Sequence, residues 1–233
     1  CVVPNEASAT WARQQGGEAK PCYQIPNAVD AGYYRRPSAA TKVEARGRLG
    51  LPMQGRVLLQ VGLLASAKGA PELARSFLAL PLDARRDAVL AFAGSGPAET
   101  ELRELSAKSS GALRLLGQLS PLGVRDALWA ADAFVLNTRR DSNPLSAIEA
   151  AAAGLPIVMS AAAGNIHEVV ETPNAGFVIR DPADPSDALR AVLSASDAQL
   201  AEMGARAAEL ARTQFDATAV ARSLIKQLYP QGS

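Results

Sequence analysis

From Arg56 onward, short apolar segments alternate with longer amphipathic ones, and this alternation limits the possible folds more than any other feature of the chain. The short segments have the length and aliphatic composition of strands. They are Val57–Val61, Ala88–Ala93, Leu113–Leu116, Ala133–Leu136, Ile157–Ser160 and Phe177–Ile179. Strands that alternate with helices form parallel βαβ units, and strands that are apolar throughout are covered by helices on both faces. The pattern therefore predicts an α/β fold with a doubly wound, Rossmann-like parallel sheet.

Between and after these strands, apolar residues recur at the three-to-four spacing of amphipathic helices. The predicted helices are Pro71–Leu80, Ala98–Lys108, Leu122–Ala131, Leu145–Ala153, Ser186–Leu193, Ala198–Arg212 and Ala217–Leu228. The first fifty residues fit this scheme poorly. They predict one short helix at Ala9–Gln15, one strand at Tyr23–Ile25 and an exposed connector over Gly32–Ser38.

Composition excludes several functional classes. Lys and Arg number 24 against 23 Asp and Glu, for a net charge of +1, so the basic excess of a nucleic-acid-binding protein is missing. No apolar run reaches the roughly 18 residues of a membrane span. Two cysteines make no disulfide framework and favour a reducing compartment. The first residue is Cys1 rather than Met, and Cys1–Pro21 lacks the order of a signal peptide, so we expect the chain to begin inside a larger protein.

Ligands of open parallel sheets bind beyond the carboxyl ends of the strands, and the first two such ends carry glycine-rich loops. The loop that starts at Gly62 matches neither a dinucleotide fingerprint nor a P-loop. Its Lys68 is placed to meet a diphosphate as a point charge, although a solvated lysine is an equal alternative. Gly94 and Gly96 either let the backbone approach a ligand or form an ordinary turn into a helix.

A third loop carries two carboxylates, Asp141 and Glu149, on either side of a helix start. Asn143 is predicted as the N-cap and Pro144 as the first helical residue, which leaves free amides for an anion. Glu149 lies in an otherwise apolar run, where a carboxylate needs a partner. In the alternative interpretation Asp141 is a solvated charge and Glu149 a surface residue.

The fourth loop runs from Gly164 to Glu168 and offers a second backbone cradle for an anion. Its His167 is the only histidine of the sequence, and it fits a surface or capping position better than a catalytic one. No His/Cys cluster or Asp-x-Asp pair at a strand end indicates a metal site. Asp181, Asp184 and Asp187 have the spacing of turn and capping residues.

Taken in order, these segments resemble the C-terminal half of a GT-B-fold glycosyltransferase of the retaining group 1 class, the large fourth family. The resemblance runs over Ile25–Tyr229. Its motifs are Ile25–Asp30 for I-P-N-G-V-D, Val61–Leu64 with Lys68-Gly69 for V-G-R-L-x-x-x-K-G, Gly94–Pro97 for G-D-G-P, Leu116-Gly117 for the F-L-G turn, Asp141–Glu149 for E-x₇-E, and Gly164–Glu168 for G-G-x-x-E.

The resemblance implies a role for each matched position. Lys68 would bind the diphosphate of a nucleotide-sugar donor, Asp141 would contact the donor sugar, and these two would be the catalytic residues. Glu149 would accept hydrogen bonds from the ribose hydroxyls. The remaining donor-binding positions are Gly62, Gly94, Gly96, Gly117, Leu119, Asn143, Pro144 and Leu145. The class needs no metal ion, and no cofactor is expected beyond the donor substrate itself.

The same resemblance implies three parts: residues 1–24 as the remnant of an N-terminal acceptor domain and linker, 25–215 as the nucleotide-sugar domain, and 216–233 as a C-terminal crossover helix. The acceptor domain would be missing, so this fragment would be an inactive part of a hexosyltransferase. The full protein would work in the bacterial cytoplasm, bound peripherally to the inner face of the membrane, in polysaccharide or glycolipid synthesis. Nucleic acid is not an expected partner.

Two departures from the family pattern keep alternatives open. The family arginine after the first glycine is Leu63 here, and Arg139 or Arg140 is a candidate replacement. Asp141 is one methylene shorter than the family glutamate. A non-catalytic or split-subunit nucleotide-sugar-binding module is therefore the alternative function. A GT-B epimerase or phosphorylase is a third, although the sequence shows neither signature.

Overall fold

The structure is a computed structural model that describes residues 1–17, 22–35 and 38–229. The strands are β1 (Val2–Val3), β2 (Tyr23–Gln24), β3 (Arg56–Val61), β4 (Ala88–Ala93), β5 (Leu113–Gly117), β6 (Ala133–Leu136), β7 (Ile157–Ser160) and β8 (Gly176–Ile179). The helices are α1 (Glu6–Ala12), α2 (Ala31–Tyr34), α3 (Ala39–Arg48), α4 (Ala70–Ala79), α5 (Glu99–Ala107), α6 (Pro121–Ala130), α7 (Leu145–Ala152), α8 (Ser186–Ser194), α9 (Asp197–Leu210) and α10 (Ala217–Leu228).

Six strands form one parallel sheet in the order β5-β4-β3-β6-β7-β8. The chain winds outwards from β3 in one direction and from β6 in the other, so the topological switch point lies between these two strands. The predicted α/β class and parallel, Rossmann-like sheet are confirmed. A separate pair of parallel strands, β1 and β2, ties the N-terminal segment together.

Two apolar layers cover the faces of the sheet because side chains of a strand alternate between its faces. In β3, Val57 and Leu59 belong to one cluster, which includes Phe134, whereas Leu58 belongs to the other, which includes Phe77. All five side chains are fully buried. This explains why the strands could be recognised as continuous apolar runs.

The prediction for the linker region was wrong in two places. Instead of an exposed connector over Gly32–Ser38, residues Ala31–Tyr34 form α2, whose start is capped by Asp30 Oδ1 accepting from Tyr33 N–H at 2.9 Å. The second error is α3, which was not predicted. Its N-cap is Ser38, whose hydroxyl accepts from Thr41 N–H at 3.3 Å. Arg36 and Pro37 lie outside the described residues.

The first helix and α9 differ from their predicted bounds by more than one residue, whereas the other predicted helices agree to within one residue at each end. The first helix begins at Glu6 rather than Ala9 because Asn5 caps it, accepting from Ser8 N–H at 2.9 Å. The predicted helix Ala198–Arg212 ends as an α-helix at Leu210 and continues as a wider π-type turn over Ala211–Phe215. Among the described residues, no helix is both long and apolar enough to span a membrane.

Candidate functional site

A cleft lies at the carboxyl ends of β3 and β6, on the switch point of the sheet. It consists of two adjoining cavities that share Val61, Gly62 and Leu63 as a common wall. The first cavity, of about 170 Å³, extends to Lys68, Asp141 and the start of α7. The second, of about 280 Å³, extends to the loops after β4 and β5. We call the two together the switch-point cleft.

Lys68 and Asp141 meet in the first cavity, although 73 positions separate them in the sequence. The Lys68 ammonium donates a hydrogen bond to Asp141 Oδ2, and the two side chains are 28% and 16% exposed. The short helical turn Ser66–Lys68 carries the lysine, and Gly69 follows with a left-handed φ of 63°. Of the described residues that line the switch-point cleft, Lys68 is the one cation.

The start of α7 faces the same cavity through Pro144, Leu145 and Ser146. The prediction of Asn143 as N-cap was wrong: the capping position is Pro144, and no side chain caps this helix. Asn143 belongs instead to the turn before the helix, where Asp141 Oδ1 accepts from its main-chain N–H at 3.2 Å. The first turn of α7 therefore presents uncapped amides and a positive dipole end beside Lys68.

The predicted site glycines divide into two groups. A Cβ on Gly94 would lie 1.9 Å from Gly62 O, and one on Gly96 would lie 2.5 Å from Leu64 O, so contact between loops requires both glycines. By contrast, Gly62 and Gly117 have positive φ values of 134° and 70°, and a Cβ on either would meet nothing within 4 Å. Only Gly62 and Gly94 line the cleft, and open space lies above Gly62.

The second cavity is bounded by Leu119 together with Ser95 and Gln118. The Ser95 hydroxyl donates to Gln118 Oε1 at 3.0 Å, which links the loop after β4 to the loop after β5. Leu119 packs partly against the core, and so its side chain forms a fixed apolar wall. The sequence singled out Leu119 but missed Gln118 and Ser95 as a bonded pair, because their contact depends on the pairing of β4 with β5.

Glu149 lies on α7 and is half-buried. It follows Leu145 by four residues and Ser146 by three, so all three share one face of the helix, although Glu149 does not line either cavity itself. Its Oε1 accepts a hydrogen bond from the Tyr34 hydroxyl at 2.8 Å. The partner that the sequence required for this carboxylate is therefore a residue of the linker that we had expected to be exposed.

The cleft has an apolar residue where the resemblance expects an arginine. Leu63 is 54% exposed and lines both cavities. Neither candidate replacement reaches the cleft lining: Arg139 donates to Glu72 Oε1 at 3.0 Å on α4, and Arg140 is exposed. The arrangement leaves Lys68 without a second cation beside it.

Gln60 is a site residue that the sequence analysis missed. It is 1% exposed, lines the first cavity and donates from Nε2 to the main-chain oxygen of Lys68 at 3.3 Å. Its Oε1 is buried without a hydrogen-bond partner among the described residues. The available signal was a single polar residue inside the apolar run of β3.

The fourth loop contacts the third loop through Gly164, and its use as a second backbone anion cradle stays a prediction. Gly164 N–H donates to Asp141 O at 2.8 Å, and a Cβ on Gly164 would lie 2.3 Å from Ser142 O. Glu168 Oε1 accepts from Glu6 N–H at 2.8 Å and so holds the start of α1. The side chain of His167 is 70% exposed and contacts Glu171 and Thr172, in agreement with the predicted surface position.

Hollows of larger volume lie at the opposite edge of the sheet, and one of them contains the Lys42–Asp132 ion pair. Another, of about 750 Å³, lies beside the starts of β4 and β5. Ligand sites of doubly wound sheets lie at the carboxyl edge, so size alone does not make this hollow a candidate. No group of three or more His, Cys, Asp or Glu residues in the described part of the chain is arranged to hold a metal ion.

The fold and the cleft define a doubly wound α/β domain with a polar site at its switch point. Residues 41–214 match the sequence family described as "Glycosyl transferases group 1". The chain belongs to this family. A D-inositol 3-phosphate glycosyltransferase of Geodermatophilus obscurus is 32% identical over 192 residues, which are 77% of this chain and 42% of that protein. Across three curated relatives, the matches span 29–52% of the relative's length.

Solved structures share the fold over nearly the whole chain. Sucrose-phosphate synthase from Thermosynechococcus elongatus superposes with a TM-score of 0.81 at 23% identity, covering 99% of this chain and 57% of that one. Alr3699/HepE of Anabaena in complex with UDP gives 0.83 at 20% identity, covering 98% and 63%. The resemblance to the C-terminal half of a GT-B glycosyltransferase is thereby confirmed.

Proposed function

We propose that this chain is the donor-binding half of a retaining glycosyltransferase. It would bind a nucleotide-diphosphate sugar in the switch-point cleft and transfer the sugar to an acceptor held by a domain outside this chain. The observation that carries the proposal is the meeting of Lys68, Asp141 and the uncapped start of α7 in one cavity. Family membership supports it, as does the UDP complex of HepE.

In this proposal, the cation and the helix start act on the leaving group. Breaking the bond between the sugar and the diphosphate places negative charge on the diphosphate. An ammonium group and a helix N-terminus stabilise that charge where it develops. Lys68 has three N–H donors, so it can keep its hydrogen bond to Asp141 and still donate to a phosphate oxygen. Asp141, beside it, would contact the departing sugar.

The two cavities suggest how the donor would lie. The diphosphate would sit over Gly62, where open space replaces a side chain. The base would enter the second cavity against Leu119 and near Gly117, while the ribose would reach Glu149 along the exposed face of α7. The main chain at Asn143–Leu145 would hold phosphate or sugar oxygens. No metal ion or cofactor is required by this arrangement.

The chain matches only part of its relatives, so the rest of the reaction belongs to the proposal as well. Residues 1–24 would be the end of the acceptor domain, 25–215 the donor domain and 216–233 a helix that crosses back. Alone, the chain would bind the donor without transferring the sugar. The whole protein would act at the cytoplasmic face of a bacterial membrane on a polysaccharide or glycolipid acceptor.

Calorimetric titration with UDP, GDP and their sugars tests the donor site. We expect Lys68→Ala to weaken the binding of the preferred nucleotide by about ten- to a hundredfold, the loss of one charge-assisted hydrogen bond. Lys42→Ala is the matched control, because Lys42 forms a similar pair with Asp132 at the opposite edge of the sheet. Absence of binding by any nucleoside diphosphate, or equal loss in the two variants, contradicts the proposal.

A second candidate function is a nucleotide-sugar-binding module without its own catalysis, or one subunit of a split enzyme. The exposed Leu63 in the cleft favours it, because one cation alone gives weaker support to a diphosphate leaving group. A separately encoded acceptor domain that restores sugar transfer on mixing supports the split enzyme. An acceptor domain encoded directly upstream and in frame argues for the first proposal.

A further inference from the structure

The carboxylate of Glu149 accepts a hydrogen bond from a residue 115 positions away. The Tyr34 hydroxyl donates to Glu149 Oε1 at 2.8 Å, and both side chains are half-buried. The neighbours of Glu149 along α7, Ile148 and Ala150, are fully buried and apolar. A carboxylate in such surroundings is stabilised by a donor, and Tyr34 supplies it.

Tyr34 is held in place from several sides before any ligand is present. The Trp129 indole N–H donates to its main-chain oxygen at 3.0 Å. The ring of Tyr33 packs edge-on against the ring of Tyr34, with 5.0 Å between the two ring centroids. The guanidinium of Arg125 lies 4.9 Å from the Tyr33 ring and 4.3 Å from the Trp129 ring, which links α2 to α6. The hydroxyl position is therefore set by packing.

Burial, together with the hydrogen bond and charge of Glu149, raises the pKa of Tyr34 far above its ordinary value. The hydroxyl accordingly stays protonated and remains a donor at every physiological pH. Among the described residues, the Tyr34 hydroxyl is the one donor to the Glu149 carboxylate, and it bonds to Oε1. A carboxylate has two oxygens, and Oε2 remains for a second donor.

Resting on the proposed function, we propose that Tyr34 is a positioning residue for Glu149. By occupying Oε1, it would fix the carboxylate so that Oε2 faces the switch-point cleft and accepts a hydrogen bond from a ribose hydroxyl of the donor. Leu145 and Ser146, one helical turn before Glu149 on the same face, already line the cleft. The linker helix α2 would thereby contribute to donor affinity without touching the donor.

The test compares UDP with 2′,3′-dideoxy-UDP, which lacks both ribose hydroxyls, on wild type, Tyr34→Phe and Tyr33→Phe. Tyr34→Phe keeps the ring and removes only the hydroxyl. We expect it to weaken UDP binding about tenfold, as for a lost hydrogen bond to a charged group, and to leave dideoxy-UDP binding unchanged. Tyr33→Phe is the matched control, since the Tyr33 hydroxyl bonds to no described residue, and it should change neither affinity.

Each other outcome has a distinct meaning. Equal loss of both ligands in Tyr34→Phe indicates a purely structural role and overturns the inference, as does no loss at all. Wild type that binds UDP and dideoxy-UDP equally well also overturns it, while leaving the donor site of the proposed function intact. If wild type prefers GDP, the same comparison uses GDP and its dideoxy form, and failure of wild type to bind any of these nucleotides overturns both proposals. In a double-mutant cycle, Tyr34→Phe should lose its effect on UDP affinity in a Glu149→Gln background.

Discussion

Two lysine–aspartate pairs lie at opposite edges of the same sheet, and their surroundings differ. Lys42 pairs with Asp132 at the amino edge, with side chains 23% and 19% exposed. Lys68 pairs with Asp141 at the carboxyl edge, with side chains 28% and 16% exposed. Each pair also lines a hollow. Pair type, exposure and the presence of a cavity therefore do not distinguish them.

The hydrogen-bond partners do distinguish them. Asp132 Oδ2 also accepts from Arg46 Nη2 at 2.6 Å and from Val57 N–H at 2.7 Å. The Arg46 side chain is 4% exposed, and its other N–H groups donate to main-chain oxygens. Its acceptors are Ala130 O at 2.9 Å, Pro52 O at 3.2 Å, Met53 O at 3.3 Å and Gly55 O at 3.2 Å. The amino edge is a closed network that joins α3 to the sheet.

At the carboxyl edge, by contrast, some polar groups have no hydrogen-bond partner among the described residues. Among the described residues, the carboxylate of Asp141 accepts only from the Lys68 ammonium and from Asn143 N–H. Gln60 Oε1 and Asn143 Nδ2 are buried without partners among the described residues. Native proteins satisfy most buried polar groups, so the unpartnered Gln60 Oε1 in the lining of the cleft is typical of a site that a ligand completes. The predictions that follow test this difference.

The largest expected effect is on stability at the amino edge. Arg46→Met removes one partner of a buried ion pair and four main-chain contacts, so the free energy of unfolding should fall by about 3–5 kcal/mol. Urea denaturation measures it. Arg48→Met is the control: Arg48 is half-exposed and pairs with Asp126 at 2.9 Å, so the loss should stay below about 1 kcal/mol. Equal losses would show that the Arg46 network is not the stronger contribution.

The next largest effect is a gain in nucleotide affinity at the carboxyl edge. Leu63→Arg adds a second cation beside Lys68, and the affinity for UDP should rise by about ten- to a hundredfold, as expected for a hydrogen bond to a charged group. Leu82→Arg adds the same charge far from the cleft, at a residue that is 74% exposed. If both variants gain equally, long-range attraction explains the result and a direct contact does not.

A smaller effect is expected at the base of the cleft. Gln60→Leu removes two groups at once: the Nε2 that donates to the main-chain oxygen of Lys68, and the unpartnered Oε1. The free energy of unfolding should change by less than about 1 kcal/mol, because a weak bond and an unsatisfied group disappear together. UDP affinity should fall several-fold, measured by calorimetry. A large loss of stability with unchanged affinity would identify Gln60 as a core residue only.

The smallest effect is expected at His167. Its side chain is 70% exposed and lies outside both cavities. His167→Ala should change the free energy of unfolding by no more than about 0.5 kcal/mol, as for most surface positions. It should leave UDP affinity unaltered in the same titration. A loss comparable to that of Lys68→Ala would mean that this histidine reaches the donor.

Local sequence predicted the strands well and the linker badly, for one physical reason. The bounds of β4, β6 and β7 are those predicted, because a strand buried on both faces must be apolar at every position. The helix α3 was missed because its stability comes from contacts with α6 and the sheet, above all those of Arg46. Nothing local marks an arginine as buried.

The cleft was predicted in outline for a similar reason. Carboxyl ends of parallel strands lie at one edge, so Lys68 and Asp141 were expected at the same edge once the strands were assigned. The pairing of β3 with β6 then brings them into contact. The sequence also required a partner for Glu149, since its neighbours Ile148 and Ala150 are apolar. It could not name Tyr34, because that contact depends on where the linker packs.

The sequence by itself thus determined the layered α/β architecture, the edge on which the site lies and the charged residues that approach it. Each of these follows from periodicity and burial, which are local properties. Only the tertiary structure decided that Arg46 bonds to the aspartate of the Lys42–Asp132 pair, whereas the Lys68–Asp141 pair has no such partner among the described residues. It also decided that Tyr34 donates to Glu149. Those outcomes depend on contacts between residues 86 and 115 positions apart, which local preferences do not encode.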